Sequence, residues 1–370
     1  MNGRRWFLIT SVGFLAGCRK KRASGYPGYA FVSNYEGRAV AAIDLNIFAV
    51  TKHIPVDAAP GPILSHPGRD AVYVLAPDAG MLVEVETTSL AVGRRVHAGA
   101  QAVDMRFSGD GRHLWILCRQ PRQLMRVSLD TLRPDGAVQL AGDPTSFEIS
   151  PAGNLGAVCF GNEGALSLVN LETMQARPPR QLGERVTKAV FRNDGKLLFV
   201  GVTSKPSLAV IDPATEQVMV RLPLAMEPQN FCYKADGGQL FISGPGMDAV
   251  TVAYPYTTEV GNTVLAGNAP GCMAECTKPG YLFVANPGSG DVSILDIETL
   301  RVVARASVGA DPGAIVITPD NQYALVLNRR SGDMAVIRIA SISARRSRAV
   351  ALFTVIPVGS MPVGAAIRRF

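Results

Sequence analysis

A chain of 370 residues, 47% hydrophobic and formally +7, is long enough for two or three domains and basic enough to suggest a polyanionic partner. The distribution of residues excludes the second reading. Six of the 37 basic residues lie within positions 1–28, which hold no acid, and the remaining 31 face 30 carboxylates, so the body lacks the basic stripe that nucleic acid requires.

At the start of the chain, Arg4 and Arg5 precede an apolar run from Trp6 to Ala16, the layout of a secretory signal. Eleven residues are too few for a helix to span a bilayer, which takes about 20. Cleavage is therefore expected. The run ends in Leu15-Ala16-Gly17-Cys18, which resembles the lipobox of bacterial lipoproteins. That resemblance implies a cut between Gly17 and Cys18, a diacylglycerol thioether on the Cys18 sulfur and an acylated new amine. Residues 1–17 then form the signal, and 18–28 a lipid-anchored tether whose Arg19, Lys20, Lys21 and Arg22 add a basic patch beside the lipid. The signal implies a place outside the cytoplasm, and because the position after the cysteine is arginine and not the aspartate of inner-membrane retention, the outer membrane is favoured in a cell that has two.

From residue 29 the sequence repeats. Phe31, Tyr73, Trp115, Ala157, Phe199, Phe241, Phe283 and Leu325 stand 42 residues apart, and eight copies account for 29–370. Such units cannot bury their faces separately, so one body is expected. Each copy reads as four short extended runs. In the last, these are 313–318, 323–328, 334–339 and an outer run ending near Gly359. Turn clusters such as Ser108-Gly-Asp-Gly111 and Thr318-Pro-Asp-Asn321 join the first two runs. Four antiparallel strands per 42 residues predict a β-propeller. Because the array opens without an inner strand and ends with one alone, 363–369 is expected to pair beside 30–34 and close the ring.

The repeats resemble the YVTN-type family of β-propellers, through Phe31-Val-Ser-Asn34, Phe283-Val-Ala-Asn286 and Leu325-Val-Leu-Asn328, then Val210-Ile-Asp212 and Ile294-Leu-Asp296, then Thr318-Pro-Asp320. Copies three, four and six replace the terminal asparagine by Cys118, Phe160 and Gly244, and the last copy carries an insertion around Ala344 to Ala351. Family members often have seven blades; the strand count here gives eight.

Little in the body points to chemistry. Cys118, Cys159, Cys232, Cys272 and Cys276 are odd in number and sit where other copies have small or apolar residues, so buried free thiols are expected. Cys272 and Cys276, four apart on one strand, cannot bond to each other. His53, His66, His97 and His113 read as structural residues, and neither a metal site nor a cofactor is expected. One pattern remains. The residues that precede each inner strand are Ala59, Gln101, Asp143, Arg185, Glu227, Ala269, Asp311 and Met361, which should ring the channel mouth. Asp143, Glu227 and Asp311 fall on alternate blades with Arg185 between two of them, and with Gln101 they form the candidate ligand site. The neighbouring loops 35–38, 119–122, 161–164 and 329–333 vary in charge over a constant scaffold. The expected function is a monomeric, non-catalytic envelope propeller that binds a partner protein or small ligand there. The alternative is an enzyme such as a lactone hydrolase or dehydrogenase subunit, which the family resemblance allows.

Overall fold

A computed structural model describes residues 25–183, 185–342 and 349–370. The proposed signal, Cys18 and most of the insertion lie outside the described residues. Blade 1 consists of Gly28–Asn34, Ala39–Asp44, Ala49–Pro55 and, innermost, Pro362–Arg369. Blade 2 runs in order from the channel outward, through Ile63–Ser65, Ala71–Ala76, Met81–Glu86 and Ala91–His97. Blades 3 to 8 repeat this order from inner strands Ala100–Phe107, Ser146–Ile149, Val186–Phe191, Asn230–Tyr233, Met273–Cys276 and Pro312–Ile317. The fold is an eight-bladed β-propeller.

The second and third strands are Val-, Ile- and Leu-rich because neighbouring blades cover both of their faces. The column that carries the 42-residue period is buried throughout, from Phe31 at 0% exposure to Trp115 at 3%. Where blade 4 has the small Ala157, Phe191 of blade 5 contributes to the same apolar cluster. Outer strands are exposed and polar, and one is broken: Gln175–Ala176 and Arg180–Gln181 flank Pro178 and Pro179, which have no N–H to give the ladder.

Closure occurs as the register requires. Tyr29 pairs with Arg368 and Val32 with Ala365, and a bulge sets Asn34 opposite Pro362. Both ends of the described chain thus meet in one blade, where the Phe370 amide donates to the Pro27 carbonyl at 3.3 Å.

The terminal asparagine of the repeat motif has a physical role. Asn34 Nδ2 donates to the carbonyl of Val358, just past the outer strand of blade 8, at 2.7 Å, and Asn328 Nδ2 donates to Val308 past that of blade 7 at 3.2 Å. In blade 7, Asn286 Oδ1 accepts the Gly267 amide at 3.1 Å. Each asparagine is buried and pins its blade to the one before. Cys118 replaces asparagine in blade 3, and its thiol donates to the equivalent Ala98 carbonyl at 2.8 Å. Replacing Asn328 by Ala strands the Val308 carbonyl and removes a donor from Asp333, at an expected cost of about 1–3 kcal/mol. Cys118→Ala should cost less, since a thiol is a weak donor. Equal losses in denaturant titrations of the two variants would contradict this ranking.

The turns between third and outer strands repeat a left-handed residue at Phe48, Leu90, Leu132, Met174, Glu216, Thr258 and Leu300. Thr258, at φ 60°, is β-branched and therefore the most strained of them. Thr258→Asn should stabilise by about 0.5–1 kcal/mol. Thr258→Gly should gain less, because glycine also loosens the unfolded chain. Scanning calorimetry that finds no rise in melting temperature for Thr258→Asn would remove the argument.

In blade 8 the outer strand is only Thr354–Pro357. Before reaching it, Ala349 bridges Arg305 in parallel and the Val350 amide donates to the Arg305 carbonyl at 2.9 Å. The end of the insertion thus lies along the free edge of blade 7, an edge that would otherwise offer unpaired backbone groups.

Candidate functional site

Inner strands begin at one face of the ring, and the connectors leading into them, with the loops between second and third strands, make up the channel mouth. Four of the mouth residues, Gln101, Ala269, Asp311 and Met361, share a left-handed backbone with φ of 54–59°. This common turn aims each following inner strand down the channel.

The three carboxylates do not stand open toward one another. Asp311 receives a two-point contact from Arg329, with Nε to Oδ2 at 3.0 Å and Nη2 to Oδ1 at 2.6 Å. Asp143 lies 3.4 Å from Arg119 Nε, which also donates to the Pro144 carbonyl at 3.1 Å. Arg119 and Arg329 occupy the same position of the repeat, five copies apart. The Asp143 amide in turn donates to Glu163 Oε1 at 2.8 Å. Glu227 is half-buried, while Arg185 and Gln101 are exposed. Arg185 lies between two of the carboxylates in the ring, but the arginines that contact Asp143 and Asp311 come from the loops. Among the described residues, no three of His, Cys, Asp and Glu gather closely enough to hold a metal ion.

The variable loops join this face. Tyr35 Oη donates to Asp78 Oδ2 at 2.6 Å, linking the loops of blades 1 and 2. Between blades 8 and 1, a cleft of about 660 Å³ is lined by Glu36, Asp311, Arg329, Arg330 and Ser360. It has two arginines and two carboxylates, of which only one arginine and one carboxylate are committed to each other.

Below the mouth lies a polar arc absent from the sequence reading. Asp104, Arg106, Glu148, Lys188 and Asn230, from the inner strands of blades 3 to 6, and Cys272, just before that of blade 7, line about 220 Å³ of channel. Arg106 Nη1 donates to Asp104 Oδ1 at 2.6 Å and Nη2 to Glu148 Oε2 at 3.4 Å. Burial raises the Glu148 carboxyl despite Arg106, and it lowers the charge preference of Arg106 less than the two carboxylates raise it. The signal was present as charges inside otherwise apolar runs, such as Asp104-Met-Arg106, but inner strands covered by neighbours are expected to be apolar throughout.

The other candidates resolve simply. His66 is buried; its Nδ1 accepts the amides of Gly68 at 2.9 Å and Arg69 at 2.8 Å, so Nε2 carries the hydrogen given to Gly111 O at 2.9 Å. It is fully used in structure. The five cysteines are free, but they are not uniformly buried as the sequence suggests. Cys118 and Cys159 are buried, with thiols pushed up to about 12 by burial, and Cys276 is buried with a raised pKa. Cys232 is half-buried. Cys272 is exposed because its place, just before an inner strand, faces the channel where other copies have Lys188 and Asn230.

No family model matches the sequence, and no curated protein matches it. Solved structures do. The chain is similar to the dihydro-heme d1 dehydrogenase NirN in complex with DHE, at 16% identity and a TM-score of 0.78, over 93% of this chain and 75% of that one. It is similar to hydrazine synthase of Kuenenia stuttgartiensis at 19% identity and 0.61, over 79% and 99%, and to a functionally unknown protein of Desulfotomaculum acetoxidans DSM 771 at 12% and 0.61, over 92% and 98%. At these identities the similarity concerns the fold, which hosts unrelated activities.

Proposed function

We propose that the chain is a YVTN-type propeller lipoprotein, exported, cut before Cys18, held to the envelope by lipid, and acting there by binding rather than by chemistry. The ligand, a polar small molecule or a charged segment of a partner protein, seats on the mouth and its loops. The observation that supports this reading is the mixed charge of the mouth. The Asp143–Arg119 and Asp311–Arg329 contacts neutralise two of the three carboxylates, while Arg185, Glu227 and Arg330 add further charged groups to a rigid rim. Such a surface suits a ligand carrying both signs better than it suits a bare cation.

A second reading, an enzyme or electron-transfer subunit, draws on the descriptions of NirN and hydrazine synthase. One experiment separates the two. The purified chain is titrated by calorimetry with a panel of zwitterions, dicarboxylates and basic and acidic peptides, and separately with haem, followed by its absorbance. Binding from the panel that weakens tenfold or more in Arg329→Ala, with melting unchanged, supports the proposal. A stoichiometric haem spectrum that survives gel filtration, with no response to the panel, replaces it with the second reading.

A further inference from the structure

Strand Gly28–Asn34 runs toward the mouth, so its start lies at the opposite face. There Gly25 packs against the turn of Leu45, Asn46 and Phe48, and Phe370 is held to Pro27. This corner carries apolar side chains that the fold leaves uncovered: Ile47 is 66% exposed and Phe370 68%. They stand on a rigid base, since Phe370 meets the Tyr29 ring edge-on at 4.9 Å and Phe48 packs on Tyr323 at 4.9 Å. Asp44 and Asp320 lie on the same face, but both cap their own turns, Asp44 through the Asn46 amide and Asp320 through Thr318 and Gln322.

We infer that this corner is a membrane-docking surface, with Ile47 and Phe370 inserted at the headgroup boundary of an anionic bilayer. The inference rests on the lipid anchor at Cys18 proposed above. Only positions 19–24 separate Cys18 from Gly25, a reach of at most about 25 Å even when extended. Four of those six residues are basic, and Arg369 beside Phe370 is exposed. Basic residues next to a lipid chain attract anionic headgroups, and exposed aromatic and aliphatic side chains add apolar burial to that attraction. The short tether and the apolar corner therefore act on the same side of the ring, which turns the channel mouth away from the membrane and toward soluble ligands.

Among the described residues every strand lies within 28–369, so a lipid-free chain of 19–370 contains all eight blades. This chain is sedimented with vesicles of phosphatidylcholine alone and of phosphatidylcholine with phosphatidylglycerol. Binding is expected on the anionic vesicles, with slowed amide exchange at 44–48 and 366–370 and none slowed at 119–122. Ile47→Ser with Phe370→Ser should weaken binding at least tenfold without lowering the melting temperature. Binding unaffected by the double variant, protection at the mouth loops, or a chain that dimerises through this corner and ignores vesicles would each overturn the inference. The anchor is tested apart, by the intact mass of full-length protein extracted from membranes. An unlipidated mass removes the anchor while leaving the vesicle result to be judged alone.

Discussion

Removing residues 362–370 is expected to abolish cooperative unfolding of the whole ring, not only to loosen blade 1. The lost strand supplies the entire inner ladder to Gly28–Asn34. Its absence leaves the inner edge of Gly28–Asn34 unpaired and uncovers Ala30, Phe31 and Val32, all fully buried in the intact ring. A loss on this scale rivals the whole stability of a typical domain, about 5–15 kcal/mol. The expected observation is a broad, early thermal transition, together with loss of exchange protection at 28–34. A circular permutant that joins Phe370 to Gly25 through a short glycine linker, with new ends in the 203–206 loop, should melt like the parent, because it keeps every ladder and the buried Tyr26. A truncated chain with a sharp, unshifted transition would show that the other blades hold the ring without closure.

The second large effect concerns Glu84. Its side chain is buried on the third strand of blade 2, accepting Tyr73 Oη at 2.8 Å and a two-point contact from Arg94 at 2.9 and 2.6 Å. Burial alone would raise this carboxyl, but the hydrogen bonds from Arg94 and Tyr73 outweigh burial and hold it below the usual range. Arg94→Met leaves a buried carboxylate without its counter-charge, which typically costs 3–5 kcal/mol. Because the Arg94 side chain is 42% exposed, water screens the pair, and a loss below that range, about 2–3 kcal/mol, is expected. The pH dependence follows from the sign of the shift. A carboxyl depressed in the folded state stabilises fully above the ordinary carboxylate range, and that contribution is lost as pH falls through the folded value. Parent stability should therefore decline below about pH 4, while the gap between parent and Arg94→Met narrows on acidification as Glu84 takes up a proton. Adding Glu84→Gln to Arg94→Met should recover most of the loss at neutral pH. A gap independent of pH, or no recovery in the double variant, would mean that Arg94 acts through packing and its bonds to the Leu129 and Asp130 carbonyls, not through Glu84.

Much of the architecture was legible because a single 42-residue period carries strand order, turn chemistry and the buried aromatic column together. Phe31 and Phe283 look alike in sequence because they sit in the same place between blades. The functional face was less legible. Gln101, Asp143, Arg185, Glu227 and Asp311 could be assigned to the mouth from register. Which of them remain uncommitted depends on Arg119 and Arg329, which share a repeat position but stand in loops of otherwise varying sequence, and whose reach is set by backbone direction. Asp104, Arg106, Glu148 and Lys188 were missed for a related reason. Strand periodicity tells which face of a sheet a residue takes, but at the innermost strand both faces verge on the channel, so a charge there costs less than its apolar neighbours imply. Cys272 escaped the expectation of burial in the same way.

The pairing of Gly28–Asn34 with Pro362–Arg369 also sets an order of events. A chain that emerges amino end first, from a ribosome or through a pore, delivers the opening strand more than three hundred residues before its innermost partner. Until residues 362–370 arrive, the first blade waits unfinished and no complete circle exists. Arrival of that segment is thus the moment at which the molecule becomes a single cooperative object, and anything that delays it keeps the chain threadable.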